Sequence, residues 1–198
     1  EYAHSVLDTP HRLNISATYE LPFGAGKRWM DREGMMNAFL GGWALTGVGT
    51  YQSGFPVLIV MNSNNSGLTE TVQRPNLTGT APSTSGSAED HFDSTCNCLT
   101  NWFNPAAWTS PAPFTLGDAP RTDARQRTPF KKNWDIAIQK TQLIGGRKTL
   151  MVRAEIINAF ADPNFLGPQN RFGASAFGTI TQEGGFPRLL QLLVRVGW

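Results

Sequence analysis

The chain has 198 residues and a formal net charge of +2, and 16% of its residues are charged. This charged fraction is below the roughly 25% of soluble domains, while Gly, Pro, Asn, Ser and Thr are abundant, which favours β structure with long loops. The small net charge, without a basic stripe interleaved with aromatics, argues against a nucleic-acid partner. The sequence contains no run of 18 or more apolar residues that could form a membrane-spanning helix. A transmembrane β-strand, however, needs only about 9–11 residues of alternating polarity.

The first predicted strand lies in HRLNISATYEL, where apolar and polar residues alternate. Leu13, Ile15 and Ala17 share one side of such a strand, and Arg12 and Ser16 share the other, because successive side chains point to opposite faces. A second, less regular strand is predicted in the glycine-spaced stretch GGWALTGVGTYQSGFPVLIV, as a run of approximately eleven residues with Trp43 and Tyr51 near its ends.

The segment from about 61 to 132 is rich in Asn, Ser, Thr, Gly and Pro and has little periodicity. Loops longer than about 12–15 residues are uncommon in compact domains unless they are functional or disordered. We therefore predict a long loop that is functional, disordered or both.

A hairpin is predicted next, with strands in NWDIAIQKTQL and TLMVRAEIINAF joined at Gly145 and Gly146. Arg153 and Glu155 share one side of its second strand, either as an ion pair facing a barrel lumen or on a solvated sheet face. Farther on, FGTIT is predicted to be a short strand or the top of a longer one.

The last predicted strand, in PRLLQLLVRVGW, runs to the end of the chain. Most soluble domains have frayed termini, so a strongly patterned strand that ends on an aromatic residue is unusual. Gln191 and Arg195 lie on one side of this strand. Its other side is wholly apolar and consists of Leu190, Leu192, Val194, Val196 and Trp198.

The connections between the predicted strands alternate in length. Those near 22–42 and 144–148 are shorter, and those at 61–132 and 161–187 are longer. In antiparallel up-and-down strands this alternation places the short turns at one end and the long loops at the other. Outer-membrane barrels have this arrangement, with short periplasmic turns and long extracellular loops.

Five segments, taken in order, resemble the carboxyl-terminal barrel strands of TonB-dependent outer-membrane transporters. They are DTPHRLNISATYELPFGAGKR, GGWALTGVGTYQSGFPV, NWDIAIQKTQL, RAEIINAFADPNF and PRLLQLLVRVGW. The similarity is greatest to the Oar-like branch, whose members carry a carboxypeptidase-regulatory-like domain. The resemblance implies an all-β fold of antiparallel up-and-down strands, part of a transmembrane β-barrel with long extracellular loops, in the bacterial outer membrane.

The resemblance also implies roles and partners. Residues 1–198 would be the carboxyl-terminal portion of the barrel, and its last strand would be the signal read by the barrel assembly machinery. The partners would be outer-membrane lipid and lipopolysaccharide, the remainder of the barrel, and TonB through a plug that is absent from this chain. Family members have roughly 22 strands and a barrel needs about eight, so the five or six strands predicted here cannot close one alone.

The only two cysteines, Cys96 and Cys98, lie in the sequence TCNC. A disulfide suits an oxidising cell-surface compartment, although a bridge between such close neighbours closes a very small ring. Free thiols are a second interpretation. A metal site is a third, but the stretch HFDSTCNC lacks a recognised ligand spacing.

The long loop contains two further groups of candidate residues. Its aromatics either contact a ligand or pack the loop on itself and on the barrel rim; they are Phe92, Trp102, Phe103, Trp108 and Phe114. Its cations either contact lipopolysaccharide phosphates or form an ordinary solvated loop base; they are Arg121, Arg125, Arg127, Lys131 and Lys132.

Aromatic residues also fall near the ends of the predicted strands, where a membrane-interface girdle would place them and where a soluble sandwich would use them as core caps. They are Trp43, Tyr51, Trp134, Phe160 and Trp198. The sequence has no nucleophile elbow, phosphate-binding glycine loop or HExxH motif, so we expect neither enzymatic activity nor a cofactor. The alternatives to a transporter segment are a β-rich structural subunit of a cell-surface assembly and a secreted sugar-binding β-sandwich.

Overall fold

The computed structural model describes residues 3–31, 34–69, 72–144 and 146–198. One α-helix, α1, spans Met35–Leu40, and 3-10 helices span Glu89–His91 and Pro105–Ala107. No helix in these ranges is long and apolar enough to cross a membrane. The strands are β1 (Arg12–Glu20), β2 (Trp43–Gln52), β3 (Val60–Met61), β4 (Asn76–Leu77), β5 (Phe92–Asp93), β6 (Cys98–Leu99), β7 (Trp108–Thr109), β8 (Lys131–Ile144), β9 (Lys148–Ile157), β10 (Arg171–Phe172) and β11 (Leu189–Gly197).

The five long strands form one sheet in the order β1-β2-β8-β9-β11. The pairs β8–β9 and β9–β11 are antiparallel, and the strands run up and down, which confirms the predicted all-β antiparallel fold class. In this order, the connections β2–β8 and β9–β11 leave from one end of the sheet, and β1–β2 and β8–β9 leave from the other. Each outer strand, β1 and β11, has one neighbour among the described strands.

The alternating residues give this sheet two unlike faces. Leu192 opposes Ala154, which opposes Ile138, and directly opposed residues of antiparallel strands share a face. The face that contains them, called here the apolar face, carries Ile136, Ile138, Leu150, Val152, Ala154, Ile156, Leu190, Leu192, Val194 and Val196, with Lys140 and Gln142 toward the end of the short β8–β9 turn. The opposite, polar face contains Gln139, Arg153, Glu155, Gln191 and Arg195.

The second predicted strand is confirmed by β2, which begins at Trp43 and contains Tyr51 next to its last residue. It ends at Gln52, and Val60 belongs to a separate short strand that pairs in parallel with β10. Between these two strands, Pro56 forms an isolated antiparallel bridge to Arg127.

The chain divides into two compact units. The sheet unit comprises Arg12–Tyr51, Lys132–Pro163 and Gly185–Trp198. The loop unit comprises Glu1–His11, Gln52–Lys131 and Asn164–Gly184. The long segment that the sequence analysis describes as functional or disordered is therefore folded in most of its length.

The loop unit has its own core. Ile59, Phe103, Ala107, Trp108 and Ala119 are buried together, and the short pairs β4–β7 and β5–β6 lie around them. The predicted strand FGTIT is absent from the described strands, because only Ile180 forms a bridge, to Leu99. Scattered aromatics and prolines, rather than a repeating pattern, fill this core.

Candidate functional site

The apolar face of the last strand lies open to the surroundings of the chain. Leu190, Leu192, Val194 and Val196, predicted as the assembly signal with Trp198, are all exposed, and Leu192 is 71% exposed. Trp198 follows the strand and is also exposed. An apolar surface of this extent is unstable against water and requires an apolar partner.

An aromatic cluster lies on the same face of the sheet unit. The Trp134 ring covers Gly49 so closely that a Cβ at position 49 would lie 2.7 Å from it. The Trp134 indole N–H donates to the Tyr51 hydroxyl at 2.8 Å, and Phe160 packs edge-on against the Trp134 ring. Tyr51 lies near the end of β2 from which a long connection leaves. The cluster thus contains three of the aromatics predicted to form an interface girdle, a role that stays a prediction.

The polar face carries an ion pair between Arg153 and Glu155, with 3.1 Å between nitrogen and oxygen. Glu155 opposes Gln191 on β11. These groups hydrogen-bond along and across strands, which is compatible with a water-filled or protein-filled lumen.

Cys96 and Cys98 are joined by a disulfide. The bridge lies at the start of β6, next to the buried Leu99. Neither cysteine is free, and no group of three or more metal-ligating side chains occurs in the part of the chain that the structure describes.

The loop aromatics divide into two groups. Phe103 and Trp108 are 1% and 3% exposed, and their ring centroids lie 6.0 Å apart within the core of the loop unit. Of the two interpretations of the loop aromatics, ligand contact and packing of the loop on itself, these two residues fit the second, because they have almost no free surface. Trp102 is half-buried and donates its indole N–H to the Arg127 carbonyl at 2.7 Å. Phe114 is 83% exposed and remains available for a contact.

Arg127 joins distant parts of the loop unit. Its guanidinium donates to the carbonyls of Asp8 and Gly54 at 3.0 Å each and to the Ala124 carbonyl at 2.8 Å, and it forms an ion pair with the Asp8 carboxylate. A planar fork of donors is needed to reach so many acceptors at once. These bonds occupy the guanidinium within the chain.

We expect Arg127→Lys to destabilise the loop unit by about 1–3 kcal/mol, because an ammonium group keeps the charge but leaves partly buried carbonyls without donors. The measurement is the urea concentration at the midpoint of loop-unit unfolding, with protease susceptibility as the probe of unfolding. Arg125→Lys is the matched control, since Arg125 is exposed and such pairs contribute little. Equal midpoints for the two variants would contradict the structural role of Arg127.

The other predicted cations have separate surroundings. Arg125 pairs with Asp123 at 2.5 Å, and Lys132 pairs with Asp162 at 2.8 Å. Arg121 is exposed and Lys131 is half-buried. Contact of these four residues with lipopolysaccharide stays a prediction, and any such contact at Arg125 or Lys132 would compete with a carboxylate.

The Arg125 side chain holds the pKa of Asp123 below its ordinary value through hydrogen bonds, against the opposing effect of burial. A lowered folded-state pKa stabilises the fold above the unfolded-state pKa, and this contribution is lost as the pH falls through the folded-state pKa. We expect Asp123→Asn to lower the free energy of unfolding by less than about 1 kcal/mol at pH 7, and by progressively less as the pH falls. Urea unfolding of both proteins across this pH range checks this; a difference that does not change with pH would contradict it.

Asn158 is an organising residue that the sequence analysis does not identify. It has a φ of 51°, and its side-chain amide donates to the carbonyls of Asp162 and Phe186. Its backbone N–H donates to the Asp135 carboxylate at 2.9 Å. An Asn directly after a strand is a sequence signal for such a turn, because Asn tolerates the left-handed conformation.

A family model described as an outer membrane beta barrel domain matches residues 1–191. No curated protein and no solved structure matches the chain significantly.

Proposed function

This chain belongs to the outer membrane beta barrel domain family, and from that premise we propose that it is the barrel segment of a TonB-dependent transporter for nutrient uptake. Membership of the family assigns the chain to the bacterial outer membrane. The proposal adds a gated, non-catalytic transport role without a cofactor. A plug and the remaining strands, supplied by other sequence, would complete the transporter.

The observation that carries the proposal is the folded loop unit. A barrel that only anchors a protein needs short connections, whereas a receptor needs ordered surfaces at its outer end. Here two separated segments share one buried core around Phe103 and Trp108, and Arg127 ties a third segment to them through Asp8, which gives the loops a fixed shape. The order of the five transporter-like sequence segments supports the same assignment.

The outer strands explain which partners the segment needs. Neither β1 nor β11 has a second neighbour among the described strands, and an exposed strand edge cannot remain unpaired in hydrocarbon. We propose that further strands of the same barrel cover both edges, and that the barrel assembly machinery recognises β11 first. TonB would act through the plug.

The proposal is tested on the intact protein that carries this chain, purified from outer membranes of the bacterium that encodes it. We expect mass spectrometry to find a plug and further strands in the same polypeptide. We also expect deletion of its gene and deletion of tonB to abolish uptake of the same nutrient.

One alternative, a β-rich subunit of a surface assembly, is favoured by the same open edges, because identical copies could pair there. Its signature would be extraction without detergent as an oligomer that shows no heat-dependent shift on a gel. That result, or uptake that persists without TonB, would overturn the transporter proposal.

A further inference from the structure

The connection between β1 and β2 carries an apolar surface that the transport proposal does not explain. Helix α1 has no buried residue, and Met35 and Phe39 are 79% and 70% exposed. Met36 and Leu40 are exposed as well, as are Trp29 and Met30 earlier in the connection. A short turn in water has no use for so many large apolar side chains in one place.

The helix is attached to the sheet rather than loosely connected to it. The Trp43 indole N–H donates to the Phe39 carbonyl at 2.9 Å, and the Lys140 ammonium donates to the Gly41 carbonyl at 2.5 Å. Gly42 has a φ of 74° and passes so close to β8 that a Cβ would lie 2.2 Å from the Thr141 carbonyl oxygen. The end of α1 is therefore fixed against β2 and β8.

The attachment lies on the apolar face. Lys140 opposes Val152, and Val152 opposes Val194, so the Lys140 side chain projects from the face that contains these valines. The Lys140 ammonium lies 5.3 Å from the centre of the Trp43 ring, which places Trp43 on the same side. Helix α1 is thus continuous with the surface that contacts hydrocarbon in the outer membrane.

The position along the strands specifies the leaflet. Helix α1 lies between the end of β1 and the start of β2, at the end of the sheet with the shorter connections. In outer-membrane barrels this end is periplasmic. An indole and a lysine side by side at the edge of an apolar surface are typical of the boundary between lipid tails and headgroups.

We propose that α1 is a membrane-interface anchor, whose Met35, Met36, Phe39 and Leu40 side chains enter the phospholipid leaflet at the periplasmic end of the sheet. Such helices lie in the interface plane with their apolar side chains among the acyl chains. Lys140 and Trp43 hold the helix in this plane by binding its last carbonyls. This inference needs the outer-membrane location but not the transport function.

The test uses the intact protein that carries this chain, reconstituted in vesicles of phosphatidylethanolamine and phosphatidylglycerol. A spin label is attached at Phe39→Cys under non-reducing conditions, which leave the Cys96–Cys98 disulfide closed. Phe114→Cys is the matched control, because Phe114 is also a highly exposed phenylalanine but lies in the loop unit. Power saturation measures collisions of each label with oxygen, which concentrates in lipid, and with a water-soluble nickel chelate.

We expect the oxygen-to-nickel accessibility ratio to be several-fold higher at position 39 than at position 114. Equal ratios would place α1 in water and overturn the proposal. A label at 39 that neither reagent reaches would mean that protein covers the helix, which also overturns it. If F39C does not give a heat-modifiable band, Met35→Cys on the same helix replaces it with the same expected result.

Discussion

Replacing Leu192 by arginine is expected to destabilise the membrane-inserted protein by about 2–4 kcal/mol. Leu192 lies near the middle of β11, is highly exposed and belongs to the apolar face. We propose that this face contacts hydrocarbon in the membrane, where a guanidinium would lose its hydration without gaining a partner. The measurement is the urea midpoint of unfolding in phospholipid vesicles, accompanied by the yield of heat-modifiable protein in the outer membrane.

The neighbouring residue provides the control. Gln191 is also exposed but lies on the polar face, opposite Glu155, so an arginine there gains a carboxylate and stays out of the lipid. We expect Gln191→Arg to change the midpoint little. A similar loss of stability for both variants would show that the two faces of β11 meet the same solvent.

Truncation of Phe103 to alanine is expected to lower the free energy of unfolding of the loop unit by about 3–5 kcal/mol. The ring is almost fully buried and packs against Trp108 and Phe177, with ring centroids 6.0 Å apart in each pair. Removing it leaves a cavity between elements that are distant in sequence. We expect rapid cleavage of the long connection by protease and a lower unfolding midpoint of the loop unit, while the sheet stays inserted.

The control for this variant is Phe114→Ala, which removes the same side chain from an exposed position. We expect this substitution to change the free energy of unfolding by no more than about 0.5 kcal/mol, as is usual for surface substitutions. Equal protease sensitivity of the two variants would contradict the assignment of Phe103 to the core.

The sheet could be predicted from the sequence because its strands have a period of two. Strand β11 and the hairpin β8–β9 alternate regularly, and their residues lie in the expected strands; the predicted turn residue Gly145 lies outside the described residues. Strand β2 is less regular because glycines and aromatics interrupt the pattern, but Trp43 and Tyr51 lie near its ends as predicted. Helix α1 escapes prediction, since six residues are too few to show a helical period.

The loop unit could not be predicted for a different physical reason. Its paired segments are two residues long or single bridges, so they have no periodicity, and its core forms from contacts between distant residues. Leu99 pairs with Ile180, and Arg127 binds the carboxylate of Asp8. A dense set of aromatics was visible in the sequence, but whether Phe103 contacts a ligand or a core depends on these distant partners.

The apolar and polar faces of the sheet are expected to meet hydrocarbon and water respectively, and every role proposed above depends on this difference. The most direct test is to place single cysteines at 189 to 196 in the intact protein, in its outer membrane, and to measure labelling by a water-soluble maleimide. We predict strong labelling at positions 191 and 195 and protection at positions 190, 192, 194 and 196. Uniform labelling along the strand, or labelling of the even positions, would contradict the claim.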